Sequence, residues 1–433
     1  MALLNDYPVS RVPINRRLPF FSIAIVHMGM LTALDQFMLG AVLGHSMTFT
    51  DAYISIFIGS LIFGVVTVGL GLAGMREGLS GSLLARWCGF GRIGSALIGI
   101  VIAISLLGWF GVQNAVFAKG LNYAMGDFFG FGLSAIISGA VITTLVSFGF
   151  NGLKMAAKLA VPMFILVVGY ISIMTLKGQE LPKLFLNYSN GSPISISEGI
   201  TMVIGGSIVA SLITPDMTRY CKNGHHVFWM TIVSIIIGEF IVNGVAILIS
   251  RALNTSDVVT IMAKTAGGLG LLTVVLSTLR INDINLYSSS LGIANALESI
   301  TGKKIRYTWI TIFIGLTGTI LSAVGILEKF IDFLNFLGIL FPPIIGIMLV
   351  DYYILRSQRD LLDVTKMNET LPDHNSTPSI KWTAMLAWLT GGVVGFTVEY
   401  GISSLNSLLI SSFFYWITNT FLRLKNTSRL IKS

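Results

Sequence analysis

Charge is what this chain has least of. Only 11% of its 433 residues are Asp, Glu, Lys or Arg, whereas soluble domains run near a quarter. A soluble core of this length could not hide so much apolar side chain. That excludes the two or three soluble domains that length alone would imply. Cysteine is almost absent. Cys88 and Cys221 are too few and too far apart for a disulfide framework or a metal cage. Phosphate loops, zinc-ligand spacings and nucleophile elbows are missing. An enzyme is therefore not expected, nor a cofactor or metal. The formal charge of +8 does not mark a nucleic-acid partner, because the basic residues sit in short loops between apolar runs.

What is present is apolar length. Hydrophobic residues make up 54% of the chain and the mean hydropathy is +0.81. Runs of about 20 apolar residues are long enough to span a bilayer. Twelve candidates lie at roughly 20–44, 52–75, 93–118, 130–150, 154–176, 196–218, 227–250, 267–299, 306–326, 330–350, 382–399 and 403–422. The reading is an all-α integral membrane protein: a tail at 1–19, a ten-helix core at 20–350, a solvated loop at 351–381, two further helices at 382–422 and a tail at 423–433. Lys and Arg crowd into alternate loops, which puts both termini in the cytoplasm. The tail at 1–19 is too long and irregular for a signal peptide. The expected surroundings are a lipid bilayer.

Two spans read as interrupted. Span 1 carries "MGMLTALDQF", with Gly29 and then Asp35 and Gln36. Span 6 carries "IGGSIVASLITPD", with Gly205 and Gly206. Breaks five spans apart point to a five-plus-five inverted repeat with its binding site between them. Most of the 46 glycines serve close helix packing instead.

One basic residue escapes the loop pattern. Arg280 lies deep inside span 8, with Asp283 three residues on. Asp35 lies at a similar depth in span 1. A charge at mid-bilayer costs at least about 2.5–3.5 kcal/mol, so such residues need partners or a function. Arg280 and Asp283 could pair on one helix face as structural glue. That pairing leaves Asp35 alone, so a shared polar site near the midplane is the second reading. Trp109 and Gln113 form another island. They are one helical turn apart and share a face. A flat indole with a neutral amide suits a planar heterocycle, one stacking and the other reading hydrogen-bonding edges. A packing tryptophan with a satisfied glutamine fits the pattern equally well.

Five stretches carry a family resemblance: "GLAGMREGLSGSLLARWCGFG", "GWFGVQNAVFAKG", "TPDMTRYCKNG", "INDINLYSSSLGIAN" and "FPPIIGIMLVDYY". The chain resembles the nucleobase:cation symporters, on their purine/cytosine permease branch. The resemblance covers about 19–350 and, more weakly, the last two spans. It implies twelve helices, with spans 1 and 6 broken, and import of a nucleobase or related small nitrogen heterocycle by alternating access. It also implies substrate contacts at Trp109, Gln113, Gly206, Ser207, Asn282 and Asp283. The family's sodium site falls on Gly29 of span 1 and on two span 8 threonines, which here are Arg280 and Ile281. Neither can ligate sodium, which wants oxygen. Arg280 then stands as a fixed cation where the mobile one would bind, and Asp35, where the family has a small residue, becomes a candidate proton carrier. Proton coupling without sodium, in a monomer, is the expectation. The alternatives are an uncoupled uniporter or exchanger, and a transporter of a small cationic amine or guanidino compound bound by Asp35.

Overall fold

The computed structural model describes residues 10–147, 152–186, 191–301, 306–368, 370–373 and 377–432, and these are organised into helices. In chain order they are α1 (Phe20–Leu31), α2 (Leu34–Ser46), α3 (Phe49–Glu77), α4 (Gly81–Ala85), α5 (Gly91–Ala124), α6 (Gly130–Ser147), α7 (Gly152–Leu176), α8 (Leu181–Leu186) and α9 (Ile196–Thr218). There follow α10 (Gly224–Ser234), α11 (Asn243–Leu253), α12 (Val258–Thr301), α13 (Tyr307–Ala323), α14 (Phe330–Leu340), α15 (Pro342–Leu349), α16 (Arg359–Met367), α17 (Trp382–Thr397) and α18 (Ser403–Lys432). A π-helical turn, Ile235–Val242, joins α10 to α11. In lipid every backbone N–H and C=O must be satisfied within the chain, and uninterrupted helix does that.

Among the described residues eight helices are long and apolar enough to cross a membrane, or nine if α1 and α2 count as one bent span. Helices α13 and α17 are apolar but shorter. Among the described residues, each candidate run lies mainly on helix.

The break expected in span 1 lies between α1 and α2, which meet at 43°. Thr32 (φ −102°, ψ 75°) and Ala33 (φ −142°, ψ 172°) leave the helical region there. The break expected in span 6 is absent: α9 runs unbroken from Ile196 to Thr218. Its glycines serve packing. A Cβ on Gly205 would lie 1.8 Å from the carbonyl oxygen of Leu334, and one on Gly338 would lie 2.3 Å from that of Thr201. Backbone contact between α9 and α14 demands residues without side chains, and a missing side chain does not by itself break a helix.

Kinks occur instead at two sites that did not read as breaks in the sequence. The turn Arg86–Phe90 before α5 contains Gly89 at φ 107°, and α12 is kinked at Gly267, φ 54°. Both positive φ values suit glycine. The spans that follow are the third and the eighth, again five apart.

The polar segments are more ordered than a tail and a solvated loop. Arg11 is buried and donates to Glu77 and to the carbonyl oxygens of Leu362 and Thr370. Residues 10–19 are thus strapped across α16, a helix inside the expected loop. Leu18 N–H donates to the carbonyl of Tyr220. At the other end of the chain, α18 continues through the expected tail to Lys432.

Candidate functional site

The break between α1 and α2 leaves orphan carbonyls at the end of one half-helix and orphan N–H groups at the start of the next. Their dipoles favour a cation at the α1 end and an anion at the α2 start. The chain supplies both. Asp35 stands in the first turn of α2. Arg280, half-buried on α12, reaches across to α1: a Cβ on Gly29 would lie 3.0 Å from its Nη2. The Arg280 guanidinium and the Asp35 carboxylate interact electrostatically, without a direct ion pair among the described residues. Around Arg280, the residues Thr32, Ala33, Ala160, Val161, Phe164, Ser277 and Ile281 enclose only about 10 Å³ of free space, the minimum for one water molecule. The fixed cation fills the place.

This geometry answers the pairing question. Arg280 turns to Gly29 and Asp35 rather than to its helix neighbour. The charge of Asp283, half-buried, also acts on Tyr307 of α13. The structure does not bring Asp283 together with Arg280 and Asp35 in one site.

The second group sits on α5 and α12. Trp109 is buried, and Gln113 is fully buried with neither its Nε2 nor its Oε1 hydrogen-bonded. Burying an amide without partners costs about 1–3 kcal/mol. The satisfied-glutamine reading therefore fails. Asn282 donates to the carbonyl of Phe110 at 3.3 Å and accepts from Asn285 at 3.4 Å, which ties α12 to the turn of α5 that holds Trp109.

Two aromatic partners went unseen in the sequence. The Trp109 ring meets Phe333 edge-on at 5.3 Å and Phe330 at 6.1 Å, both from α14. Gly108 carried a weak signal of this contact: a Cβ there would lie 2.6 Å from the Phe333 ring.

The third group joins α2, α3, α9 and the Ile235–Val242 turn. Ser207, buried on α9, accepts from Gln36 Nε2 at 3.3 Å and donates to Glu239 at 2.5 Å. Gln36 Oε1 accepts from Asn243 at 3.1 Å. Ser60 donates to the other oxygen of Glu239. Next to Ser207, Gly206 holds the contact to Leu39: a Cβ would lie 3.3 Å from its Cδ2. Glu239 is fully buried and was missed. The argument that isolated Arg280 would have found it, had acidic residues been tested as basic ones were. Through Leu334, whose carbonyl faces Gly205, α14 links this group to Phe333 and Trp109.

No group of three or more His, Cys, Asp or Glu among the described residues could hold a metal. A cleft of about 360 Å³ opens elsewhere, at the strapped end, between Ile14, Arg17, Leu72, Met75, Arg76, Tyr352, Tyr353 and Lys366.

A family described as permease for cytosine/purines, uracil, thiamine and allantoin matches residues 15–415. The cytosine permease of Escherichia coli (strain K12) is 28% identical over 429 residues, covering 98% of this chain and 97% of that protein. Among solved structures, the inward-facing conformation of Mhp1 is similar with a TM-score of 0.81 at 18% identity, covering 97% of this chain and 94% of that one. Mhp1, a nucleobase-cation-symport-1 family transporter, in a closed conformation with bromovinylhydantoin bound gives 0.70 at 21% identity, covering 98% and 96%. At these identities the structures speak for the fold alone.

Proposed function

Because the chain belongs to the family of permeases for cytosine/purines, uracil, thiamine and allantoin, a family of multi-pass membrane transporters rather than enzymes, we propose that its substrate is a nucleobase or closely related nitrogen heterocycle held at Trp109 and Gln113. The observation that carries this is Gln113. Its amide is fully buried and unpartnered one helical turn from an indole face. A heterocycle with a donor and an acceptor on one edge satisfies both atoms of the amide, while the indole supports the ring. Asn282 is tied to the turn of α5 that holds Trp109, and the family resemblance adds Ser207 and Gly206 to the site. Asp283, three residues from Arg280 on α12, completes the set that the resemblance assigns.

Access alternates as the bundle of α1–α3 and α9–α11 rocks against a scaffold that includes α5 and α12. One chain holds the whole site. Both termini face the cytoplasm of a bacterial inner membrane. Arg280 takes the place of a sodium ion at Gly29 and the α1 break, so transport needs no sodium. A guanidinium keeps its charge throughout a cycle and cannot travel with the substrate. Coupling then falls to a carboxyl group that binds a proton. Asp35 faces the fixed charge of Arg280; Glu239 has no such partner.

The test is a thermal-shift screen of the purified protein with cytosine, uracil, hydantoin, allantoin and agmatine, in sodium and in choline buffer. The expected result is stabilisation by one of the heterocycles, equal in both buffers and lost in Trp109→Ala. A shift only in sodium overturns the role given to Arg280. A shift with agmatine alone replaces the heterocycle reading with the cationic one at Asp35, whose Oδ1 is buried without a hydrogen bond.

A further inference from the structure

Glu239 has no part in holding the substrate, yet the fold spends a great deal on it. It stands near the middle of the span Gly224–Leu253, among isoleucines and valines. The helix is π-wound there, and such turns recur at functional sites. The preceding residue touches the α1 break: a Cβ on Gly238 would lie 2.4 Å from the carbonyl oxygen of Leu31. Its carboxyl is held by Ser207 from α9 and Ser60 from α3.

The other titratable groups on the surrounding helices are engaged elsewhere. His27 of α1 bonds Ser234 at 2.8 Å and Thr214 at 3.4 Å. Tyr53 of α3 donates to the carbonyl of Phe240 at 3.5 Å. Asp35 of α2 interacts with Arg280. Asp51 and Glu77 stand at the ends of α3, Glu198 and Asp216 at the ends of α9, and His225, His226 and Arg251 toward the outer ends of α10 and α11. No cation among the described residues lies within ion-pair distance of Glu239.

This environment differs in kind from an ion pair. A lysine or arginine would fix the anion. Two hydroxyls serve both protonation states, because each rotates between donating and accepting. An anion without a cation is disfavoured at this depth, so binding a proton relieves the site and losing it requires a change in surroundings. Hydroxyl groups also lead away from it. Ser207, Ser211, Thr214 and Thr218 recur at helical spacing on one face of α9. Ser211 bonds Thr67 of α3, and Thr214 bonds His27. The series runs from the middle of the membrane toward the strapped end, inside the bundle assigned to move.

We infer that Glu239 is the proton-binding group of this transporter, taking up one proton with the substrate and releasing it along the hydroxyl face of α9. The inference rests on the transporter reading above. Ser207, which the family resemblance assigns to the substrate site, donates to Glu239 and is the positioning residue between them.

Two measurements separate the inference from that reading. The first needs no substrate. An infrared pH titration of the full chain in liposomes follows the carbonyl stretch of protonated carboxyl groups. The expected result is a band that titrates in the native protein and in Asp35→Asn and is missing in Glu239→Gln. A titrating band unchanged in Glu239→Gln overturns the proposal. The second uses radiolabelled cytosine in sodium-free proteoliposomes, comparing accumulation driven by an inward proton gradient with exchange at equal pH. The ratio of accumulation to exchange should fall at least tenfold in Glu239→Gln and hold in Asp35→Asn. The reverse pattern assigns coupling to Asp35 and overturns the inference. If native protein neither accumulates nor exchanges cytosine, the cytosine form of the transporter reading fails, and the infrared band still decides whether Glu239 binds a proton. Should Glu239→Gln not fold, Ser60→Ala with Ser207→Ala serves in its place. The titrating band should then shift in pH, and an unmoved band counts against the proposal.

Discussion

Glu77 and Glu239 are both fully buried carboxyls, and the chain treats them in opposite ways. Glu77, at the strapped end, accepts from Arg11 at 3.1 Å and from Tyr352 at 2.7 Å, with Arg76 at 3.8 Å and Arg359 at 4.0 Å. Glu239, in the bundle, has two serines and no cation. The Gln113 amide is similarly without hydrogen-bond partners. Saturated polar groups lock a structure, because each of them needs all the others. Unsaturated ones hold places for a ligand or a proton. The comparison separates an end that fixes the strap from a midplane that does the transporting.

Breaking the saturated end should have the largest effect. Glu77→Ala leaves Arg11 buried without its carboxylate, and removing one partner of a buried pair costs about 3–5 kcal/mol. Thermal unfolding in detergent should show Glu77→Ala as the least stable variant of the set, with Glu239→Gln close to native. Equal melting temperatures for the two would erase the distinction.

Gln113→Leu should act in the other direction. It removes a buried amide with no partners, so stability should hold or rise, by up to about 1–3 kcal/mol. The heterocycle-induced thermal shift should vanish at the same time. A fall in stability with the shift retained would make Gln113 a packing residue.

The ion position allows a restoration. Arg280→Thr with Ile281→Thr returns two hydroxyls to the α1 break. Sodium should then raise the melting temperature of the double variant relative to choline, while the native protein stays indifferent. The gain should be smaller than the loss from Glu77→Ala, since a surface-accessible ion stabilises only by mass action.

Much of this was legible in the sequence for a physical reason. Lipid rewards long apolar runs so strongly that hydropathy alone locates the helices, and the positions of Arg280, Asp35 and Gln113 stood out against that background. The failures were of two kinds. Glycine has two uses, and the pair at Gly205 and Gly206 read as a break when it served contact with Leu334. Of the glycines that do bend the chain, Gly267 read as one more packing glycine inside a span, and Gly89 drew no notice because it lies at the edge of one. Phe330 and Phe333 are ordinary apolar residues in an apolar run, and only the path of α14 puts them on Trp109.

The smallest effect should fall on a single sulfur. Cys221 is buried beneath the strap, where Arg17 donates to its carbonyl at 3.1 Å. Burial pushes its thiol up to about 12, while the Arg17 guanidinium pulls the other way. Thiolate is the reactive form, so maleimide should label native Cys221 very slowly at neutral pH. Arg17→Ala changes two things with opposite signs. Losing the cation raises the thiol further and slows labelling. Losing the tether lets the strap lift, which removes the burial that is the larger cause of the shift. Exposure should therefore win. One hydrogen bond is worth about 0.5–1.5 kcal/mol, so labelling should speed up by at most about tenfold. Slower labelling in Arg17→Ala would mean that the strap stays down without this residue, and that Arg11 and Glu77 alone hold the closed end.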